Sequence, residues 1–340
     1  MTPLRPAFLL AASLLFGPVP AMAQPADGTP HYGARLEGFT YPFPTQDFAL
    51  NSQQQALSMG YMDIRPERPN GRSIVLLHGK NFCGATWEAT IIALRDQGWR
   101  VIAPDQIGFC RSSKPEGYQF SLHQLAANTN ALLHSLGIER AVVMGHSMGG
   151  MLAARYALTY PDETEALVMV NPIGLEDWEA EGVPYQTVDQ WHAGERKTTA
   201  EGIRNYQRST YYAGHWEPRY DRWVNMLAGM YAGPGREAVM WNQALTSDMV
   251  FTQPVVKDFP RIRVPTLLLI GEKDNTAIGK AAAPPEVRQR IGNYAELGPR
   301  TAKAIPNARL VRFPELGHSP QIQEPERFHE ALLRELPSLK

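Results

Sequence analysis

The sequence predicts an α/β fold: a mostly parallel sheet with helices on both faces, interrupted once by a helical insertion. Three observations predict it. Short continuous apolar runs alternate with stretches of helical periodicity along most of the chain. One such run, residues 140–144, passes through Gly145-His146-Ser147-Met148-Gly149 straight into a helix-like stretch at 148–160. The alternation then stops at Asn171-Pro172 and resumes only at residue 266.

The elements follow in order. Residues 1–23 predict a cleaved secretory signal: Arg5, an apolar core at 7–16, a Gly17-Pro18 break and Ala21-Met22-Ala23 as the cleavage site. That core is shorter than the ~20 apolar residues needed to span a bilayer, and no later run is long enough either. The expected location is therefore outside the cytoplasm, periplasmic or secreted. Residues 24–45, with Pro and Gly and few periodic apolar positions, read as an extended arm. Residues 55–64 alternate Leu57, Met59 and Tyr61 with polar partners, as a half-buried antiparallel strand does. Residues 73–77 are continuously apolar, the pattern of a strand buried on both faces. A helix at 86–97 ends at Gly98, a strand follows at 100–103, and a helix at 121–136 opens on Ser121 as its cap with Gly137 behind it. The strand 140–144, the helix 148–160 and a strand at 166–170 complete the first half.

Residues 173–263 show helical periodicity and no strand, and hold Trp178, Trp191, Trp216, Trp223 and Trp241. A structureless loop of that length is implausible, so the segment reads as an inserted helical cap. Its aromatics either form the cap's own core or line a cavity beneath it. Alternation resumes with a strand at 266–270, a helix-rich stretch to 305, a strand at 309–313 and a helix at 325–336. Apolar content of 44% suffices for a sizeable core, and a net charge of −1 gives no field to attract nucleic acid or an anionic membrane. Cys83 and Cys110 are the only cysteines. An oxidising compartment permits them to pair, two separate buried thiols fit as well, and their spacing matches no metal site.

G-x-S-x-G between a strand and a helix is the context of a nucleophile elbow. The turn is so tight that its serine is strained and its flanking positions must be small, hence Gly145 and Gly149. A serine hydroxyl needs a base. His31 lies in the arm, His192 and His215 in the cap, and His123, His134 and His329 within helices. His146 is expected to point away from the hydroxyl beside it, and His78 to order its own loop. His318, in a loop just past the last strand, remains. The base needs an acid to fix its tautomer, and Asp274 follows the strand 266–270 directly. Glu272, Asp177 and Asp105 are weaker candidates; the end of the preceding strand carries Asn171 and no acid. A developing oxyanion needs two donors: the Met148 N–H, and the Lys80 N–H after strand 73–77, with Asn81 as the alternative. The Lys80 ammonium itself is expected to be solvated.

From about residue 73 onward these stretches resemble the α/β-hydrolase superfamily: His78-Gly79 with Trp87 downstream, Asp105-Gln106-Ile107-Gly108-Phe109-Cys110-Arg111-Ser112, Gly145 to Gly150, Gly271-Glu272-Lys273-Asp274 and Gly317-His318. The likeness is to the capped branch that includes esterases, haloperoxidases and meta-cleavage-product hydrolases. It implies an eight-stranded α/β-hydrolase core at 46–172 and 264–340, a cap at 173–263, and Ser147, His318 and Asp274 as nucleophile, base and acid. Cys110 stands where the family usually has glycine, in a loop that the family places beside the one carrying Cys83, which implies a Cys83–Cys110 disulfide. Serine in place of the aspartate used by epoxide hydrolases implies attack on a carbonyl. The expected reaction is hydrolysis of a carboxylic ester or related acyl bond of a small, largely apolar substrate through an acyl-enzyme. Carbon–carbon bond hydrolysis by the same residues, and non-catalytic ligand binding on this fold, are the alternatives. The expected partner is a small-molecule substrate, with no nucleic acid, membrane span, metal or cofactor; the sequence fixes neither the natural substrate nor the oligomeric state.

Overall fold

The computed structural model describes residues 28–339, so the expected secretory signal lies outside the described residues. Eight strands form one sheet: β1 (Gln46–Ser52), β2 (Gln55–Ile64), β3 (Ser73–Leu77), β4 (Arg100–Pro104), β5 (Ala141–His146), β6 (Thr164–Val170), β7 (Thr266–Gly271) and β8 (Ala308–Phe313). Their order is β1-β2-β4-β3-β5-β6-β7-β8. The pairs β1/β2 and β2/β4 are antiparallel and all the others parallel. Side chains alternate between the faces of a strand, so burial on both sides demands an unbroken apolar run. Ile74, Leu76, Val142 and Met144 join one core with Ile91 and Leu94 of α1 (Glu88–Asp96) and with Phe328 and Leu332 of the C-terminal helix Pro325–Glu335. Val75, Leu77 and Val143 join the other, with residues of α2 (Leu122–Ser135) and α3 (Met148–Thr159).

The strand β1 has no counterpart among the sequence expectations. Gln53 and Gln54 close its hairpin with φ of 51° and 62°, left-handed backbone that is ordinarily marked by Gly or Asn. With glutamines there, the turn carries no readable signal. The helix expected at 86–97 is divided: Gly84–Trp87 is a 3-10 turn and the α-helix begins at Glu88. Ser121 caps α2 as expected, accepting from the Gln124 N–H at 3.0 Å.

Between β6 and β7 lie α4 (Val188–Glu195), α5 (Ala200–Tyr206), a π-helical turn Gln207–Tyr211, α6 (Asp221–Ala232) and α7 (Arg236–Thr252), with no strand among the described residues. A capping box of Thr187 and Gln190 opens α4, and Thr199 caps α5. Tyr212 stacks on Tyr220 at 3.7 Å between centroids, with Trp216 edge-on to both, so these three rings form the segment's own core. Residues 28–45 hold no helix or strand and run from that segment to the sheet. The Tyr32 N–H donates to the Gly229 carbonyl of α6 at 2.9 Å, and the Tyr41 hydroxyl to Asp105 at 2.5 Å. No helix among the described residues is long and apolar enough to cross a membrane. After β7 come α8 (Pro285–Arg290), α9 (Tyr294–Ala304), α10 (Pro320–Gln323) and α11 (Pro325–Glu335).

Helix α11 packs on α1, where His329 Nε2 lies 3.0 Å from Thr90 Oγ1. Burial pushes the His329 imidazole down from 6.5 to about 4, with the Glu326 carboxylate opposing. The unfolded chain therefore takes up this proton first as pH falls. The stability contributed by neutral His329 is fully present above pH 6.5 and is lost as pH falls toward 4. Thermal melting of His329→Gln across that window should show a shallower decline than wild type; parallel declines would assign the acid sensitivity to other groups.

Candidate active site

Parallel strands bring their carboxyl ends to one edge of the sheet, and that edge gathers the predicted residues. Ser147, between β5 and α3, has φ 58° and ψ −123°, a conformation that an L-residue keeps only when its surroundings enforce it. They do. The Ser147 N–H donates to the Val170 carbonyl at 3.1 Å, while the Ser147 carbonyl accepts from Gly150 at 2.9 Å and Ile173 at 3.2 Å. A Cβ at Gly145 would overlap the Gly149 carbonyl, and one at Gly149 the Leu77 carbonyl. The small neighbours are thus a steric requirement. Met148 is the first residue of α3, so its N–H stands at the positive end of a helix dipole.

His318 and Asp274 are both buried, with His318 Nδ1 2.6 Å from Asp274 Oδ2. The Asp274 carboxylate also accepts from the Thr276 N–H at 2.8 Å and from Asn171 Nδ2 at 2.9 Å. Asn171 does more than stand where an acid is missing. Its amide bonds both the N–H and the carbonyl of Gly271, tying the end of β6 to the end of β7 and holding the carboxylate between them. His318 Nε2 is buried and has no hydrogen-bond partner among the described residues. The alternative acids are engaged elsewhere: Glu272 with Arg312, Asp177 with Lys257 at 2.6 Å, and Asp105 with Tyr41, Gly84 and Arg111.

His146, set aside on sequence grounds, lies against the predicted base. Its ring centroid is 4.8 Å from that of His318, and its Nε2–H donates to the His318 carbonyl at 2.8 Å. Burial, with the neighbouring His318 charge adding to it, pushes the His146 imidazole well below its ordinary value and keeps it neutral. His78 orders its loop as expected: Nδ1–H donates to the Gly79 carbonyl at 2.8 Å and Nε2 accepts from the Gln106 N–H at 3.0 Å. A Cβ at Gly79 would lie 3.0 Å from the Ser147 Cβ, so this loop passes directly beside the serine.

Lys80 follows, and here the expectation of a solvated ammonium is wrong. Its Nζ is 2.6 Å from Gln243 Oε1 of α7 and 3.3 Å from Glu195 Oε1 of α4, with only 12% of the side chain exposed. A lysine in a short loop reads as solvated because the two helices that cover it are remote in sequence. Cys83 and Cys110 form a disulfide, Cα atoms 6.0 Å apart, joining the loop after β3 to the loop after β4.

The loop of His318 is held by the π-helical turn: the His318 N–H donates to the Thr210 carbonyl at 3.1 Å and the Ser319 N–H to the Tyr211 carbonyl at 3.2 Å. Asn81 Nδ2 donates to the Tyr211 hydroxyl at 2.9 Å. Beside these contacts opens a cavity of about 900 Å³ whose wall includes Asn81, Trp191, Gln207, Thr210, Tyr231 and Thr276. Ser147 and His318 are not in that wall; the cavity adjoins them through segments 80–81, 207–210 and 275–276. Trp191 and Tyr231 are therefore cavity residues, unlike Tyr212, Trp216 and Tyr220.

A family model for the alpha/beta hydrolase fold matches residues 72–325. Among solved structures, a probable hydrolytic enzyme from Pseudomonas aeruginosa PAO1 superposes with a TM-score of 0.90 at 64% identity, covering 91% of this chain and 99% of that one. The non-heme chloroperoxidase of Streptomyces lividans is 28% identical over 287 residues, 80% of this chain and 94% of that protein. Bifunctional epoxide hydrolase 2 of Sus scrofa is 36% identical over 124 residues, 34% of this chain, and the match spans only 22% of that protein's length.

The disulfide has a direct check. Thiol titration of denatured, unreduced protein should count no free thiol, and a count of two would overturn it.

Proposed function

Because this chain belongs to the α/β-hydrolase family, we propose that it is a carboxylesterase-like serine hydrolase that cleaves an ester or related acyl bond through an acyl-enzyme. One observation carries the reading: the buried His318 has one ring nitrogen on the Asp274 carboxylate and the other without a partner, beside the strained Ser147 turn. With a carboxylate on Nδ1, the proton of neutral imidazole sits there and Nε2 is the free base.

In the proposed sequence the Ser147 hydroxyl attacks the carbonyl carbon as His318 Nε2 takes its proton. The Met148 and Lys80 N–H groups stabilise the oxyanion. Asp274 stabilises the imidazolium, which then protonates the departing alcohol. Water, deprotonated by His318, attacks the acyl-enzyme and releases the acid. Serine favours acyl carbon over the saturated carbon of an epoxide, which calls for a carboxylate nucleophile. The segment 173–263 acts as a cap, its π-helical turn holding the His318 loop in place. We assign the enzyme to an oxidising, extracytoplasmic compartment, where the Cys83–Cys110 bond persists.

Release of nitrophenol from short-chain esters should be readily measured for wild type and nearly abolished in Ser147→Ala; equal inactivity of both across ester, lactone and amide panels would end the enzyme reading. Asp274→Asn should lower turnover by about 10⁴, because the tautomer is no longer held. A loss under about tenfold would move the acid's role to another residue.

A further inference from the structure

Gln207 is a buried amide without a partner. It opens the π-helical turn and is 1% exposed, and neither its Nε2 nor its Oε1 has a hydrogen-bond partner among the described residues. Leaving such a group unpaired is costly, and an apolar side chain of the same shape would not carry that cost. Gln207 stands in the wall of the 900 Å³ cavity, and so does Trp191, whose Nε1 is likewise buried and unpartnered.

Of the charged groups in the same wall, Lys197 is exposed and the Lys280 Nζ donates to the Asn275 and Ile291 carbonyls at 3.1 and 2.9 Å. Lys80 Nζ is held by Gln243 and Glu195, and the other Glu195 oxygen accepts from the Tyr231 hydroxyl at 2.5 Å. What remains buried and unsatisfied is neutral: an amide offering one acceptor and a donor group, and an indole N–H. A neutral ligand group that returns both a donor and an acceptor fits that set, and a secondary amide is the simplest. The π-helical turn also ties recognition to chemistry. The turn that begins at Gln207 ends at Thr210 and Tyr211, whose carbonyls hold the N–H groups of His318 and Ser319. Single π-helical turns of this kind are often found at functional sites.

We propose that Gln207 reads a secondary amide on the acyl half of the substrate, so that the enzyme prefers N-acylated, peptide-like acyl esters to aliphatic ones. This rests on the acyl-hydrolase reading above. The acyl half stays bonded to Ser147 through both chemical steps, so a contact made to it acts on each of them. A site built to hydrogen-bond a substrate group discriminates strongly against the analogue that lacks it, because its own polar atoms are then left unpaired.

The test uses two isosteric nitrophenyl esters, of N-acetylglycine and of 4-oxopentanoic acid, which differ only by NH against CH₂ beside the remote carbonyl. The quantity read is the ratio of their kcat/KM values in wild type and in Gln207→Leu, which cancels intrinsic reactivity. The ratio should fall about tenfold or more in Gln207→Leu, the effect of one lost hydrogen bond of ~1.4 kcal/mol. Gln207→Glu, which keeps the acceptor for the ligand N–H but loses the donor to the carbonyl that both esters share, should lower both kcat/KM values and spare the ratio. Melting of Gln207→Leu should occur no lower than wild type, since an unpaired buried amide has been removed. Ratios equal within about twofold in all three proteins would overturn the proposal, and a lower melting point with an unchanged ratio would make Gln207 a structural residue. If wild type turned over neither ester nor any simpler one, the acyl-hydrolase reading itself would fall; turnover without discrimination would remove only the role of Gln207.

Discussion

The geometry of the site depends on one backbone turn. Ser147 is held at φ 58° by four backbone hydrogen bonds that reach to the end of β6, into α3 and to the segment just past β6. Nothing in a serine favours that conformation. It persists because β3, β5 and β6 are locked in parallel register and α3 closes on them across Gly145 and Gly149. The local strain is carried by the stability of the whole sheet, and in return the hydroxyl is fixed at the carboxyl edge, where the loops after β3, β7 and β8 converge.

A second dependence runs through side chains that never face the serine. Asn171 bridges β6 to β7 and steadies the carboxylate; His146, neutral because it is buried, holds the carbonyl of His318. The π-helical turn grips the same histidine loop from the opposite side. The His318 loop is therefore set by contacts from the elbow and from the inserted segment together, and a movement of that segment would act on His318 directly. The disulfide and the Lys80–Glu195 pair serve the neighbouring loop in the same way, fixing its course from the loop after β4 and from α4.

Legibility followed burial. The runs of β3, β4, β5, β6 and β7 were readable because strands covered on both faces call for apolar residues, and two core clusters on opposite faces account for the alternation within each run. Strand β1 was not readable, because its hairpin turns on two glutamines in left-handed conformation instead of the Gly or Asn that marks such turns. Ser147, Asp274 and His318 were legible from their places just after strands. Asn171 and His146 were not, since an amide and a second imidazole next to the motif carry no signal until their partners, 100 and 172 residues away, are folded beside them.

The sequence by itself determined the fold class, the chain order of the candidate nucleophile, acid and base, and the strand-end positions from which they meet. These are local properties: apolar periodicity, the small residues of a tight turn, and the distance of a polar residue from the strand before it. Tertiary structure alone decided which aromatics pack among themselves and which face the cavity, that Lys80 is paired and not solvated, and that Gln207 is buried with its amide unmatched. Each of these depends on how the helices between β6 and β7 lie against the sheet edge. That packing is the sum of many weak contacts between segments remote in sequence, and no short stretch of residues encodes it.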